Sequence, residues 1–551
     1  MAQSGEFDYV VVGAGSAGCL LAKRLTDAGA TVCLLEAGPK DTHPFIHIPA
    51  GYIKNIYSTR LTWSFESEPS ANTNSRRFSL PQGRVLGGSS SINGLNYVRG
   101  QREDYDLWAE LGNKGWRYEE VLPYFKRSER KIGSGDDRFR GRTGELPISD
   151  LDWHHPVCDD FLAGLQAAGV PRTPDYNGAT HAGCGYFQRT IDKGMRYSSA
   201  KAFLRPALKS GRVDLRTGAQ VGKILFEGKR AVGVQIARVE SGLSPETIRA
   251  RKEVILSAGA LNSPKILQLS GIGPAPVLQR IGVPVLHELA GVGNNLRDHY
   301  GVRMVARLKD IPTINNMVQG PALIKEIFRW LLKKPSPLAI SPSLAHVFWR
   351  SNPNVIRPDL EYVFTPASFR EGVVGLLDKF PGMTLGLWQG RPESLGSAHA
   401  RSIDPFESPV INPNYLDHET DRRTLIDGMK QGRQWLALPQ MQHYLVGETS
   451  PGPSCNSDDE WLDFARQKGT TVYHMIGTCR MGPAGRADSV VDDQLRVHGL
   501  ASLRVVDASI MPTMPSVNTN ASTLMIAEKA ADMILGKPPL IPERDLPAPM
   551  H

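Results

Sequence analysis

Cysteine is scarce and scattered in this chain. Cys19, Cys33, Cys158, Cys184, Cys455 and Cys479 are the only six in 551 residues. None forms a CxxC pair, and their spacing is not that of a disulfide framework. Reduced thiols in a cytosolic protein are the expectation. Blocks of like charge are missing too. Lys and Arg number 64 against 56 Asp and Glu, a formal net charge of +8, but the excess is dispersed and no aromatic residues interleave it. Nucleic acid is therefore not an expected partner. Long apolar runs are also lacking: none approaches the roughly 18–20 residues of a membrane-spanning helix. No basic region precedes the first apolar run, so a signal peptide is not expected and the location expected is cytoplasmic. With 41% hydrophobic and 22% charged residues, disordered and fibrous classes are excluded.

Glycine is plentiful, with 54 residues, and its placement carries information. Asp8–Val12 is a β-branched run that reads as a buried strand. Gly13-Ala-Gly15-Ser16-Ala-Gly18 follows at once, then Cys19–Leu25 at helical spacing, then a second apolar strand from Thr31 that ends in Glu36. This is the order of a dinucleotide-binding unit. The first glycine makes the tight turn, the second admits a pyrophosphate to the backbone, and the third lets helix and strand pack closely. Glu36, about 20 residues on, is placed to accept hydrogen bonds from ribose hydroxyls, and its charge disfavours a 2′-phosphate and so NADP. The fingerprint alone leaves NAD and FAD open.

Two segments invite other readings. In Leu323–Lys334, Leu323, Ile324, Ile327, Phe328, Leu331 and Leu332 recur at helical spacing, with Lys325, Arg329, Lys333 and Lys334 on much of the other face. The expectation is a surface helix whose stripe packs on the core; peripheral contact with an anionic inner-membrane surface is the alternative. His43 and His47 have i,i+4 spacing, but Pro44 and Pro49 argue against a helix there, and no metal site is expected.

Further on, Gly83–Gly100 packs three serines and several glycines among apolar residues, as an ordered loop rich in hydrogen-bond donors. Gly259-Ala-Leu-Asn-Ser-Pro through Gly273 follows the apolar strand Val254–Ser257. With Gly291–His299, His474–Gly482, Leu503–Pro512 and Pro515–Ala531, these blocks resemble, in order and over nearly the whole chain, the signature motifs of the glucose–methanol–choline family of FAD-dependent oxidoreductases, on its bacterial alcohol- and choline-type branch.

The resemblance implies an α/β fold: a Rossmann-like FAD-binding domain and a substrate domain of antiparallel sheet backed by helices. Gly13, Gly15, Ser16 and Gly18 would hold the pyrophosphate, Glu36 the ribose, and Val221 would meet the adenine. Ser89, Asn93, Gly94 and Leu95 would run beside the flavin, with Asp507 and Ala508 closing the site. Some relatives attach FAD through a histidine directly before the asparagine matching Asn93; here that residue is Ile92, so non-covalent FAD is expected. Among fourteen histidines, His474 matches the family's catalytic position and Asn518 its partner. His299 and His498 are read as structural.

The implied activity is oxidation of an alcohol, a primary one in preference to a sugar, to an aldehyde. His474 would be the base, and oxygen or a quinone the electron acceptor. Two alternatives stay open: an FAD-containing lyase or other non-redox enzyme on the same scaffold, and a non-catalytic, membrane-associated electron-transfer flavoprotein. Widely separated cofactor motifs require a discontinuous FAD domain, assigned to residues 1–155, 205–310 and 470–540. Residues 156–204 and 311–469 form the substrate domain, and 541–551 an extended, proline-rich tail. Within the second domain, Leu360–Phe364 and Met383–Trp388 read as strands, and Arg422–Leu438 as a helix with Leu425, Met429 and Trp435 inward.

Overall fold

The β-branched run Glu6–Val12 lies near the centre of a seven-stranded sheet in the computed structural model, which describes residues 5–237, 246–369 and 377–548. It pairs in parallel with Val32–Glu36 on one side and Glu246–Leu256 on the other, bringing Val12 beside both Leu35 and Leu256. Val213–Thr217 extends the parallel part, Arg230–Ile236 and Val221–Glu227 add an antiparallel wing, and Leu503–Val505 joins Glu246–Leu256 in parallel. Strands buried on both faces need continuous apolar sequence, and Val10 to Val12 and Val32 to Leu35 are all buried. The helix Ser16–Asp27 covers this sheet and packs against Asn520–Ile534, the last helix.

A second seven-stranded sheet is antiparallel throughout. Its order is Leu445–Ser450, Tyr300–Leu308, Gly382–Gln389, Leu360–Thr365, Ala345–Trp349 and Gly183–Tyr186, with Thr470–Thr471 also paired to Tyr300–Leu308. Side chains alternate strictly across it. Val302, Met304, Leu360, Tyr362, Phe364, Met383, Leu385 and Leu387 form one hydrophobic cluster with Leu425, Met429 and Trp435 of the helix Glu419–Leu436. The opposite face, with Gly301, Arg303, Val305, Val363, Thr384, Gly386 and Trp388, looks into a cavity. The fold is thus the expected one, and the two strands and the helix read from sequence are present.

Three expectations are corrected. Tyr300–Leu308 and Thr470–Thr471, assigned to cofactor pieces by the limits 310 and 470, lie in the second sheet, because strand character is local but pairing is not. Pro44 does not prevent a helix at His43–His47: it opens the short helix Pro44–His47 at the first position, where no amide is needed. No group of three or more His, Cys, Asp or Glu placed to hold a metal occurs among the described residues. Finally, the amphipathic helix forms at Gly320–Leu331, but none of its residues is buried. Its stripe faces outward, with Ile324 57%, Phe328 61%, Leu331 60% and Leu332 67% exposed, and Trp330 Nε1 ties it to the body through the Gly194 carbonyl at 2.8 Å.

No helix among the described residues is long and apolar enough to cross a membrane. All six cysteines are free and buried. The tail lies extended along the helix Tyr118–Ser128, with the Glu543 amide donating to Glu119 O at 2.9 Å and Lys126 pairing with Glu543; 549–551 fall outside the described residues.

Candidate active site

A cavity of about 830 Å³ runs from the first sheet's turns to the alternating face of the second. Gly13, Gly15, Ser16, Glu36, Ser89, Asn93, Gly94, Leu95, Val221, Asp507, Ala508, His474 and Asn518 all line it. Gly18 does not. A Cβ there would stand 1.9 Å from the Gly13 carbonyl oxygen, so the missing side chain lets the helix approach the turn. Gly13 has φ +101°, the left-handed region that glycine enters without strain.

Polar contacts fix the end of the cavity at the first sheet. Glu36 accepts from the Ala14 amide at 3.0 Å and the Gly38 amide at 2.8 Å, and burial lifts its pKa to about 7. Ser16 Oγ accepts from Asn520 Nδ2 at 2.8 Å, a link from the first helix to the last. Asn93 Oδ1 accepts from Arg196 Nη1 at 2.7 Å, and Ser89 Oγ donates to Gln82 Oε1 at 3.1 Å. Asp507 accepts from the Gly259 amide at 2.9 Å and from Ser263 Oγ at 2.6 Å, clasping the C-terminal segment to the Glu246–Leu256 strand's exit. Burial raises its pKa while those bonds oppose the rise.

At the other end stands His474. Its tautomer follows from its neighbours. His299 Nε2 lies 2.8 Å from the Gly390 carbonyl, which can only accept, so that nitrogen carries the proton. In a neutral ring, His299 Nδ1 is then an acceptor, and it lies 2.9 Å from His474 Nδ1. His474 Nδ1 therefore donates, and its Nε2 is left with a lone pair, to which Asn518 Nδ2 donates at 3.0 Å. Both rings are held neutral by burial: His299 is pushed down to about 4, and His474 lies well below the usual histidine value, the neighbouring imidazole further disfavouring a positive charge there. Asn518 Oδ1 is buried without a partner, as befits an amide awaiting a ligand.

The backbone of His474 is pinned as well. Asp298 accepts from the His474 amide at 2.7 Å and from Thr471 Oγ1 and Tyr415 Oη, each at 2.5 Å. Burial raises Asp298 to about 6, and these hydrogen bonds restrain the rise. Leu95 (φ 70°) and Tyr473 (φ 68°) hold left-handed backbone on the cavity wall, a conformation costing about 1–3 kcal/mol for such residues. The bonds Leu95 N to Asn93 Oδ1 (3.2 Å) and Tyr473 N to Thr471 Oγ1 (2.8 Å) sustain it.

The structure brings together every sequence-derived site residue except Gly18, and adds four. His299, read as structural, is bonded to the catalytic candidate. Asp298, Asn520 and Trp388 had no stated role. Asp298 and His299 end the motif Gly291–His299 and Asn520 sits two residues after Asn518, so their position in motifs was a usable signal. Trp388, whose ring centre is 6.2 Å from that of His474, gave none.

A dinucleotide cleft opening onto a histidine–amide pair beneath a second sheet defines a two-domain redox enzyme. Profiles for GMC oxidoreductases match residues 7–301 and 392–527, and the chain belongs to that family. It is 40% identical to an oxygen-dependent choline dehydrogenase of Photobacterium profundum, over 97% of this chain and 94% of that protein. It is 39% identical to an alcohol dehydrogenase [acceptor] of Pseudomonas putida, over 96% of each. The solved structure of pyridoxine 4-oxidase from Mesorbium loti matches with a TM-score of 0.86 and 29% identity, covering 95% of this chain and 98% of that one. The protein is an FAD-dependent oxidoreductase acting on CH–OH groups. Its cavity fits that cofactor: Gly15 offers bare backbone where a side chain would intrude, Glu36 presents a carboxylate, and Ile92 on the wall supplies no imidazole for a covalent link.

Proposed function

We propose that the protein oxidises a primary alcohol to its aldehyde, with His474 as general base. The observation that supports this most directly is the bond series from Gly390 through His299, which leaves His474 Nε2 an acceptor at the cavity's end. In this reading Gly13, Gly15 and Ser16 hold the pyrophosphate, Glu36 the ribose, and Val221 borders the adenine. Ser89, Asn93, Gly94, Leu95, Asp507 and Ala508 enclose the flavin, so the first sheet's unit carries the cofactor and the second sheet the substrate. When bound, FAD supplies the acceptor for the hydride leaving the carbinol carbon. His474 Nε2 takes the hydroxyl proton, and Asn518 Nδ2 donates to the oxygen as negative charge develops there. Trp388 and Tyr473 exclude water from the proton's path.

The test is anaerobic addition of alcohols to the holoenzyme. Bleaching of the flavin absorbance by a primary alcohol is expected, with His474→Ala losing about 10²–10⁴-fold in rate while keeping its FAD. An unbleached flavin across the panel, or an active His474→Ala, overturns the reading. Admitting oxygen or a soluble quinone to the same cuvette then identifies the acceptor.

The exposed helix Gly320–Leu331 supports one further element of this reading: peripheral docking on an anionic bilayer. Its apolar stripe is flanked by the exposed Lys325, Lys333 and Lys334, the pairing of apolar burial and positive charge that anionic lipid attracts. The turn Pro337–Ala339 packs on both this helix and the turn Pro49–Gly51, and Tyr52 and Ile56 just beyond line the cavity. The docked face is therefore linked by packed turns to the cavity wall at Tyr52 and Ile56, which favours a lipid-borne quinone as acceptor. Sedimentation with phosphatidylglycerol vesicles, but not phosphatidylcholine vesicles, is expected. Phe328→Glu with Leu331→Glu should cut it about 10-fold or more and leave turnover of a soluble alcohol unchanged. Equal recovery with and without vesicles removes the docking.

A further inference from the structure

Arg303 stands on the cavity face of the second sheet, two residues along the strand from Gly301. Its cross-strand neighbour is Gly386, and Val363 lies beyond on the next strand. All four line the cavity. Gly386 brings no side chain of its own to this face, and Arg303 is exposed on the cavity wall.

Its charge is otherwise unclaimed. Outside the cofactor cleft, the cavity-lining cations are Arg76, Arg303 and Lys468, and Asp378 is the one acid there among the described residues. Arg76 already donates to the Arg466 and Gly469 carbonyls, each at 2.9 Å, and stacks over Phe78; Lys468 also has an interaction of its own. Arg303 forms neither a hydrogen bond nor an ion pair through its side chain among the described residues. It is not remote from the chemistry. Burial lifts the phenols of Tyr52 and Tyr473, and the Arg303 charge, close enough to be felt at both, pulls them back; Tyr473 directly precedes the proposed base.

We propose that Arg303 is the anion-binding element of the substrate site, and that the substrate is an alcohol bearing a carboxylate at the end distant from its hydroxyl. This deepens the alcohol-oxidation reading and rests on it. A single guanidinium offers a planar two-pronged fork that matches a carboxylate. A phosphate dianion gathers several donors, and no second free cation stands beside Arg303 among the described residues. The same charge opposes a quaternary ammonium alcohol. Glu361, the cross-strand neighbour of Trp388 on this sheet face, is wholly buried and does not line the cavity, and burial raises its pKa well above the usual range, which works against a counter-charge there.

The experiment pairs ω-hydroxyalkanoates with unbranched alkanols of matching length, and with choline and glycerol phosphate, as anaerobic reductants of the holoenzyme. Wild type is compared with Arg303→Met and Arg303→Lys at equal FAD content. The hydroxy acids are expected to be the preferred class. Arg303→Met should cost them about 10–100-fold in kcat/KM, mostly through KM, with alkanols within a few-fold and Arg303→Lys recovering part of the loss. A readout independent of turnover is the shift in flavin spectrum and thermal midpoint on adding plain alkanoates, present in wild type and lost in Arg303→Met. Preference for alkanols, choline or glycerol phosphate, or a hydroxy-acid preference that survives Arg303→Met, overturns the Arg303 assignment and leaves alcohol oxidation standing. If no alcohol reduces the flavin, the oxidation reading fails, and the alkanoate titration alone decides whether Arg303 binds carboxylates.

Discussion

His474 works as a base only if its Nε2 is unprotonated, and its partner on the other nitrogen settles that. Replacing His299 by Phe keeps a ring in the site but removes the acceptor for His474 Nδ1–H, so the proton is free to move to Nε2. Turnover should fall about 10–100-fold, the usual cost of losing a group that orients a functional histidine, with FAD retained and aldehyde still the product. Normal turnover by His299→Phe would sink the tautomer argument. The pH dependence follows from the depressed pKa. Protonation inactivates the base, and the folded protein resists that protonation. The acid limb of kcat/KM should therefore lie below the ordinary histidine value of about 6.5; a limb above it counts against His474 as the group that titrates.

The strand Leu360–Thr365 shows where sequence reading stops at the level of a single element. Leu360, Tyr362 and Phe364 alternate with Glu361, Val363 and Thr365, the pattern of a half-exposed strand, and the strand is there. Yet both faces are covered: Glu361 is fully buried between the cross-strand neighbours Phe348 and Trp388, and neither carboxylate oxygen has a partner. Burial raises its pKa far above the usual range. Folding therefore favours the protonated form of Glu361 over the ionised form that prevails in the unfolded chain. Its stability contribution is full below the unfolded value of about 4.3 and declines as pH rises above it. Glu361→Gln, which mimics the protonated form, should raise the melting temperature at pH 7–8, with the gain vanishing toward pH 4; a variant less stable than wild type at pH 8 would contradict a neutral Glu361. The helix Gly320–Leu331 makes the complementary point. Its periodicity fixed its type and nearly its limits, but periodicity cannot say whether an apolar stripe meets core or solvent.

Across the molecule, legibility tracks distance along the chain. The first strand–turn–helix–strand unit was readable as a fold because each part is local: the strand, Gly13, Gly15 and Glu36 lie within thirty-odd residues of one another, and the backbone there adopts the expected order. The substrate half was not, because its wall combines Gly301, Arg303, Val363, Gly386 and Trp388 from strands whose pairing no local pattern records. The domain limit at 310 failed for that reason. His299 was legible as a motif member but not as a partner of His474, which is 175 residues away.

The same long range bears on how the protein comes into being. The cleft that starts at Gly13 is closed by Asp507, Asn518 and Asn520, and the first helix is locked to the last by Arg24, which binds both Glu145 and Glu528. A ribosome adding about 5–20 residues per second takes on the order of 25–100 s to travel from Glu36 to Asn520. Throughout that interval the nascent chain exposes an unfinished nucleotide cleft and an uncovered sheet. A chain that stops short of Asp507 would lack the residues that close this cleft and lock the first helix in place.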